Sequence, residues 1–166
     1  MARQLTGPQA VSAQGRPGEL AGSRFQYAVP DEELDLIGKL WRYQQERFPV
    51  VKHGVLIGVF SLGAMCHASL LRDCHEMPAL ASASVCFATV FLFFLIMRIA
   101  DEFKDYEDDA RYRPYRAVPR GLVSLEQLRL VAVVAVSLQM FLTLALDREL
   151  VGVLALSWAY LALMTR

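Results

Sequence analysis

Four stretches of the chain contain no charged residue and are rich in Leu, Val, Ala and Phe. They cover residues 54–71, 77–97, 130–146 and 150–165, which makes them 18, 21, 17 and 16 residues long. A helix of about 20 apolar residues crosses the ~30 Å hydrocarbon core of a bilayer. Helices of a soluble protein instead carry polar residues on one face, which these stretches lack. The pattern predicts an all-α fold, a polytopic membrane helix bundle with about four transmembrane helices.

Residues 31–48 have a different pattern, in which apolar side chains recur among charged ones at helical spacing. This pattern predicts an amphipathic helix that lies in the membrane interface, with Trp41 as its anchor. Residues 1–30 contain four Gly, three Pro and four Gln but few large apolar residues. They therefore predict a disordered cytoplasmic tail. A transit peptide is the alternative for this tail, because it holds three Arg and a single acid.

The charge balance excludes one class of function. The chain has 17 Lys and Arg against 17 Asp and Glu, so its formal net charge is zero. A nucleic-acid-binding protein would carry a basic surface, so no nucleic-acid partner is expected. Three cysteines are too few for a secreted disulfide framework. Cys66-His67 and Cys74-His75-Glu76 could hold a metal across the first turn, but their spacing specifies no geometry.

The basic residues outside the apolar stretches predict the orientation. Seven Lys and Arg precede residue 53 and seven lie in residues 98–129, whereas each of the two short turns has one. Cytoplasmic segments carry the excess of Lys and Arg in membrane proteins. We therefore expect a multi-pass integral membrane protein of a bacterial inner (plasma) membrane. Its N-terminus and the segment 98–129 are expected to be cytoplasmic.

Four carboxylates stand close together after the second apolar stretch. If that helix continues, Asp101, Asp105 and Asp109 share one face, with Glu102 beside the first of them. Like charges at this spacing repel each other unless a cation lies among them. Carboxylates together with a substrate phosphate are the usual way in which proteins hold Mg²⁺. The other interpretation is a solvated helix end, whose charges only stop the helix from sliding into the membrane.

Arginines follow the acids, and guanidinium groups suit a pyrophosphate. The acids read Asp-Glu-x-x-Asp-x-x-x-Asp from residue 101, and the next turn reads Arg-Pro-Tyr-Arg-Ala-Val-Pro-Arg-Gly from residue 113. This segment resembles the first aspartate-rich motif of the UbiA superfamily of membrane-embedded prenyltransferases. The family pattern is Asn-Asp-x-x-Asp-x-x-x-Asp, followed by Arg-Pro-x-Arg-Pro-x-Pro-x-Gly. The chain departs from it at Asp101, Glu102 and Ala117.

The resemblance implies an enzyme that transfers a polyprenyl group from a diphosphate donor to an aromatic or similar lipophilic acceptor. It implies Mg²⁺ as the cofactor, bridging the motif and the diphosphate of the donor. Membrane lipid is expected to surround the bundle. The metal ligands implied are Asp101, Glu102, Asp105 and Asp109, and the catalytic residues implied are Asp105, Asp109, Arg113 and Arg116.

The resemblance covers only part of the family's bundle. Family members carry a second motif of the type Asp-x-x-x-Asp, and nothing after Gly121 supplies one. We therefore expect residues 49–166 to form a partial UbiA-like transmembrane domain that is inactive alone. A truncated gene, a fragment, or one half of a split enzyme with a second chain supplying the missing half would each account for this pattern. The alternative is a non-catalytic integral membrane scaffold or partner subunit.

Overall fold

The computed structural model of the protein describes residues 30–165, and within this range it is all-helical. The predicted fold class is therefore confirmed. Except for Pro30, the tail predicted for residues 1–30 lies outside the described range. A 3₁₀ turn at Asp31–Glu33 precedes six helices: α1 (Leu36–Arg47), α2 (Val50–Leu71), α3 (Leu80–Lys104), α4 (Tyr106–Tyr112), α5 (Leu125–Leu146) and α6 (Leu150–Met164).

Three of these helices are long and apolar enough to cross a bilayer. They are α2, α3 and α5, with 22, 25 and 22 residues, and an 18-residue apolar stretch within each has a mean hydropathy of 1.8, 2.4 and 2.0, respectively. At most 22% of the apolar part of each is buried inside the molecule, so most of their side chains face outward. These features identify a membrane protein with transmembrane helices.

The fourth predicted span, residues 150–165, forms a helix at the predicted place that is short for a bilayer. Helix α6 has 15 residues, which at ~1.5 Å per residue reach only ~22 Å. The hydrocarbon core is ~30 Å thick. Residues 30–165 therefore contain three helices of spanning length instead of four, together with one shorter apolar helix.

Helix α3 is the centre of the bundle, because it packs against both α2 and α5, and α5 in turn packs against α6. One polar side chain joins three of these helices inside the apolar region. The amide of Gln139, which is 1% exposed, donates to the carbonyl oxygen of Thr89 at 3.0 Å. It also accepts a hydrogen bond from Nε1 of Trp158 at 2.9 Å. Hydrogen bonds of this kind hold membrane helices together.

The densest core lies at one end of the bundle, where α1 meets the end of α3 and the start of α5. The connection between α4 and α5 runs over this core. Gly121 in this connection has a φ of +82°, a conformation that a Cβ atom would strain. Helix α5 then begins with a capping box between Ser124 and Gln127. The buried core residues are Tyr43, Ile99, Ala117, Val118, Leu122, Val123 and Leu128.

Candidate functional site

The predicted acidic residues lie at this same end of the bundle, where α3 passes into α4. The helix continues as expected but is interrupted at Asp105, which has φ −91° and ψ 3°. Backbone hydrogen bonds still run from the N–H of Asp105 to Asp101 O and from the N–H of Asp109 to Asp105 O, at 2.9 and 2.8 Å. The three aspartates therefore keep nearly helical spacing across the interruption.

The four carboxylates differ sharply in exposure. The side chain of Asp101 is 43% exposed, and Asp105 is also exposed. The side chains of Glu102 and Asp109 are only 1% and 4% exposed. The sequence pattern predicts one acidic face, whereas the structure leaves only Asp101 and Asp105 accessible to a ligand from solvent.

Asp109 contacts the two arginines that the resemblance implies for the diphosphate. Arg116 donates a hydrogen bond to Oδ2 of Asp109. The guanidinium of Arg113 lies 3.6 Å from Oδ1 and is 53% exposed. The structure therefore brings Asp109, Arg113 and Arg116 into one group, with Arg113 on its open side.

Glu102 is held by arginines from two helices. Its Oε1 accepts a hydrogen bond from Nε of Arg47 at 2.6 Å and another from a terminal nitrogen of Arg98 at 3.1 Å. The guanidinium of Arg98 also lies 3.4 Å from Asp101. These contacts link the end of α1 to the end of α3.

A second ion-pair network joins the 3₁₀ turn and α1 to the α4–α5 connection. Arg120 donates to Asp31 at 2.7 Å and to both carboxylate oxygens of Glu46 at 2.8 and 2.7 Å. Asp31 also accepts a hydrogen bond from Arg42. Burial by itself would raise the pKa of Asp31, but the bonds from Arg120 and Arg42 outweigh it and hold this pKa below 3.8. The sequence analysis missed this network, since Asp31 and Arg120 are 89 residues apart.

Tyr43 lies buried beside the ion pairs of Glu102. It is 4% exposed, and within the described residues its hydroxyl has no hydrogen-bond partner. Burial raises the pKa of Tyr43, and the negative charge of Glu102 raises it further. The phenol therefore stays neutral beside the buried carboxylate.

No preformed metal cluster is present between residues 30 and 165, since no three His, Cys, Asp or Glu side chains are arranged to hold an ion. This finding includes the cysteine and histidine residues near the α2–α3 turn. Mg²⁺, however, is often bound through one or two carboxylates together with substrate phosphates. Asp101 and Asp105, with their accessible carboxylates, fit this kind of binding.

An apolar groove of about 340 Å³ lies between α3, α5 and α6. Its size is within the range of about 300–1,000 Å³ that is usual for ligand pockets. Phe93 lines it on α3, eight residues before Asp101, which corresponds to ~12 Å along a helix. The groove is also lined by Cys86, Thr89, Val90, Gln139, Thr143 and Leu154. It reaches Leu146 and Leu150 at the α5–α6 turn, which is the end of the bundle away from Asp101.

Fold and site together define a helical membrane protein. The ion pairs of Glu102, Asp109 and Arg120, which we call the charged cap together with Asp101, Asp105 and Arg113, cover one end of its bundle. Comparison with models of known protein families, with curated proteins and with solved structures finds no match. The likeness of the segment from residue 101 to residue 121 to the UbiA motif therefore stays a prediction.

Proposed function

We propose that this protein is a UbiA-like prenyltransferase, or the donor-binding half of one. It would transfer a polyprenyl group from a diphosphate donor to an aromatic or similar acceptor. One observation carries the proposal: the acids and arginines of the motif lie at the polar end of α3, and the same helix lines an apolar groove. A polyprenyl diphosphate has the same division into a charged head and a long apolar tail.

The charged cap contains cationic side chains that could bind the diphosphate of the donor. Arg113 is exposed and its contact with Asp109 is loose, at 3.6 Å, so its guanidinium can turn toward a diphosphate. When the allylic C–O bond of the donor breaks, the electron pair leaves with the diphosphate, and cationic groups stabilise this growing charge. The carbocation is then attacked by the acceptor ring, which afterwards loses a proton. Mg²⁺ bound at Asp101 and Asp105 would supply further neutralisation of the diphosphate.

A second function is favoured by the ion pairs of the cap. Glu102 and Asp109 are already neutralised by arginines without any ligand. Acidic residues that are paired with arginines in this way can serve only to stabilise the packing of helices. The chain could therefore be a non-catalytic scaffold or the partner subunit of another membrane protein. The two functions differ in whether the cap recognises a diphosphate.

A binding experiment separates them. The purified chain in lipid nanodiscs with Mg²⁺ is titrated with radiolabelled farnesyl diphosphate, and with farnesol in parallel. We expect saturable binding of the diphosphate that is at least about tenfold tighter than that of the alcohol, or ~1.4 kcal/mol. Arg113→Ala should remove most of this preference, whereas Arg111→Ala, an exposed arginine of the same segment, should leave it intact. Equal binding of diphosphate and alcohol would favour the scaffold.

We also propose that the charged cap faces the cytoplasm, because the Lys and Arg residues concentrate on its side of the membrane. The three native cysteines are replaced by Ser, and Lys104→Cys is introduced, since Lys104 is exposed. Membrane-impermeant maleimide should react with this cysteine only after the cells are opened. A variant that retains only Cys74, which is exposed in the α2–α3 turn, should react in intact cells. The reverse labelling pattern would contradict the orientation.

A further inference from the structure

The carboxylate of Glu102 connects two helices that are far apart in the chain. Arg47, the last residue of α1, donates to Oε1 of Glu102 across a sequence separation of 55 residues. Arg98, one turn earlier on α3, donates to the same oxygen. The side chain of Glu102 is 1% exposed and that of Arg47 is 14% exposed. The contact is therefore an enclosed ion pair between α1 and α3, in contrast to a surface pair within one helix.

The surroundings of Glu102 keep it enclosed. Ile99, on the same helix, is 1% exposed and belongs to the core together with Tyr43. Tyr43 is close enough for the charge of Glu102 to act on its hydroxyl. A magnesium ion would have to displace two guanidinium groups to reach Oε1. The second oxygen, Oε2, belongs to a side chain that is only 1% exposed. Mg²⁺ also loses its water ligands reluctantly, so a buried oxygen already bound by two arginines is a poor ligand for it.

The other buried acid of the motif is held differently. Both partners of Asp109 come from its own segment, four and seven residues further on. One of them, Arg113, is largely exposed and can leave without moving a helix. Release of Glu102 would instead remove the ion pair that joins the end of α1 to α3. The buried carboxylates of Glu102 and Asp109 therefore have different structural roles: Glu102 joins two helices, whereas Asp109 binds arginines of its own segment.

We propose that Glu102 is a positioning residue which fastens α1 across the polar end of α3, and that it is not a ligand of the magnesium ion. The magnesium part of this inference rests on the proposed function, whereas the fastening part does not. It corrects the ligand set implied by the resemblance, which includes Glu102. The accessible ligands that remain are Asp101 and Asp105.

The test measures metal binding and the attachment of α1 separately. Mn²⁺, a paramagnetic substitute for Mg²⁺, is titrated with inorganic pyrophosphate into the chain in nanodiscs and followed by electron paramagnetic resonance. Hydrogen exchange of residues 36–47 reports the attachment of α1. We expect Glu102→Gln to speed exchange in α1 while Mn²⁺ affinity changes less than about twofold. We expect Asp105→Asn to weaken Mn²⁺ at least about tenfold without affecting α1. Glu107→Gln, an exposed neighbour, should change neither.

A charge exchange decides between the two roles of residue 102. In the double variant Arg47→Glu/Glu102→Arg the ion pair between α1 and α3 is restored with reversed polarity, but an arginine cannot bind a metal. This variant is made in an Arg98→Gln background, because Arg98 would otherwise repel the new arginine. We expect this variant to recover slow exchange in α1 and the Mn²⁺ affinity of the unsubstituted chain. The proposal would be overturned if this variant recovered slow hydrogen exchange in α1 but not Mn²⁺ affinity. It would also be overturned if Glu102→Gln lost Mn²⁺ affinity while hydrogen exchange in α1 stayed unchanged.

Two further outcomes keep the inference separate from the proposed function. If Glu102→Gln fails to fold, Arg47→Gln tests the fastening alone, and unchanged exchange in α1 would overturn it. If the unsubstituted chain binds no Mn²⁺ with pyrophosphate, the proposed function loses its support. In that case the exchange data still decide whether Glu102 fastens α1.

Discussion

An Asp105→Asn variant of the proposed prenyltransferase is expected to form prenylated product at least about 100-fold more slowly than the unsubstituted protein. Asp105 is exposed at the interruption between α3 and α4, so its carboxylate is available to hold Mg²⁺ against the diphosphate. Removal of one electrostatic stabiliser of a transition state typically costs 10²–10³-fold in rate. The measurement is the rate of prenylated product formation in membranes that contain the complete functional assembly. Asp109→Asn should also be inactive, but it additionally breaks the ion pair with Arg116.

Asp108→Asn is the matched control for this experiment. Asp108 is an exposed acid of α4 and its substitution removes the same charge, but the resemblance gives it no role in binding the metal. Its rate should stay within about threefold of the parent, a difference of less than 1 kcal/mol in the barrier. If Asp105→Asn also stays within this margin, Asp105 is only a solvated residue at the end of the helix.

An Arg120→Ala variant is expected to lose about 3 kcal/mol of stability, the largest effect on folding that we predict. Arg120 binds Asp31 and both carboxylate oxygens of Glu46. Without it, two partly buried acids lack their main counter-charge, and breaking a buried ion pair typically costs 3–5 kcal/mol. Because the side chains of Arg120 and Asp31 are 18% and 32% exposed, we expect the lower end of this range.

Thermal unfolding in detergent micelles, followed by circular dichroism, measures this loss. Arg111→Ala removes an arginine that is exposed and stacks on the neighbouring Tyr112 at 5.4 Å, so it should leave the midpoint almost unchanged. Arg120→Lys retains the charge but not the planar fork that binds two carboxylates, and it should fall between the two. A midpoint for Arg120→Ala equal to that of Arg111→Ala would contradict the prediction.

The same network predicts how stability depends on pH. The pKa of Asp31 in the folded protein lies below its ordinary value of 3.8. A lowered pKa contributes stability that is present above pH 3.8 and is lost as the pH falls through the folded value. The unsubstituted protein should therefore lose this contribution in acid below pH 3.8. Arg120→Ala should lose less over the same interval, because much of the contribution is already absent.

The positions of the long helices could be predicted from the sequence because they depend on local composition. Uncharged runs identify α2, α3 and α5, but the helices extend beyond the runs. Helix α3 continues from the run that ends at residue 97 as far as Lys104. It can do so because the charges of Arg98, Asp101 and Glu102 neutralise one another. An uncharged run therefore predicts which part of a helix lies in the hydrocarbon core, but it does not predict the residues at which the helix begins and ends.

The candidate site was predictable only where its parts are close in the chain. Asp109 and its arginine partners lie within seven residues of each other, so a motif can contain them. The pairs Arg47–Glu102 and Asp31–Arg120 span 55 and 89 residues. No periodicity or spacing connects such pairs, because their contact depends on how α1 crosses the end of the bundle. The sequence therefore predicts which residues are acidic, but not which carboxylates remain accessible.

The hydrogen bonds of Gln139 determine which parts of the bundle can move relative to each other. A slide of one helical turn, ~5.4 Å, would break the bonds to Thr89 and Trp158 and leave the amide unpaired in hydrocarbon. Apolar contacts alone do not fix the register of membrane helices so strictly. Helices α3, α5 and α6 should therefore move as one rigid body. Any shear that widens the bundle is expected between α2 and α3, where the buried hydroxyl of Ser61 has no hydrogen-bond partner within the described residues.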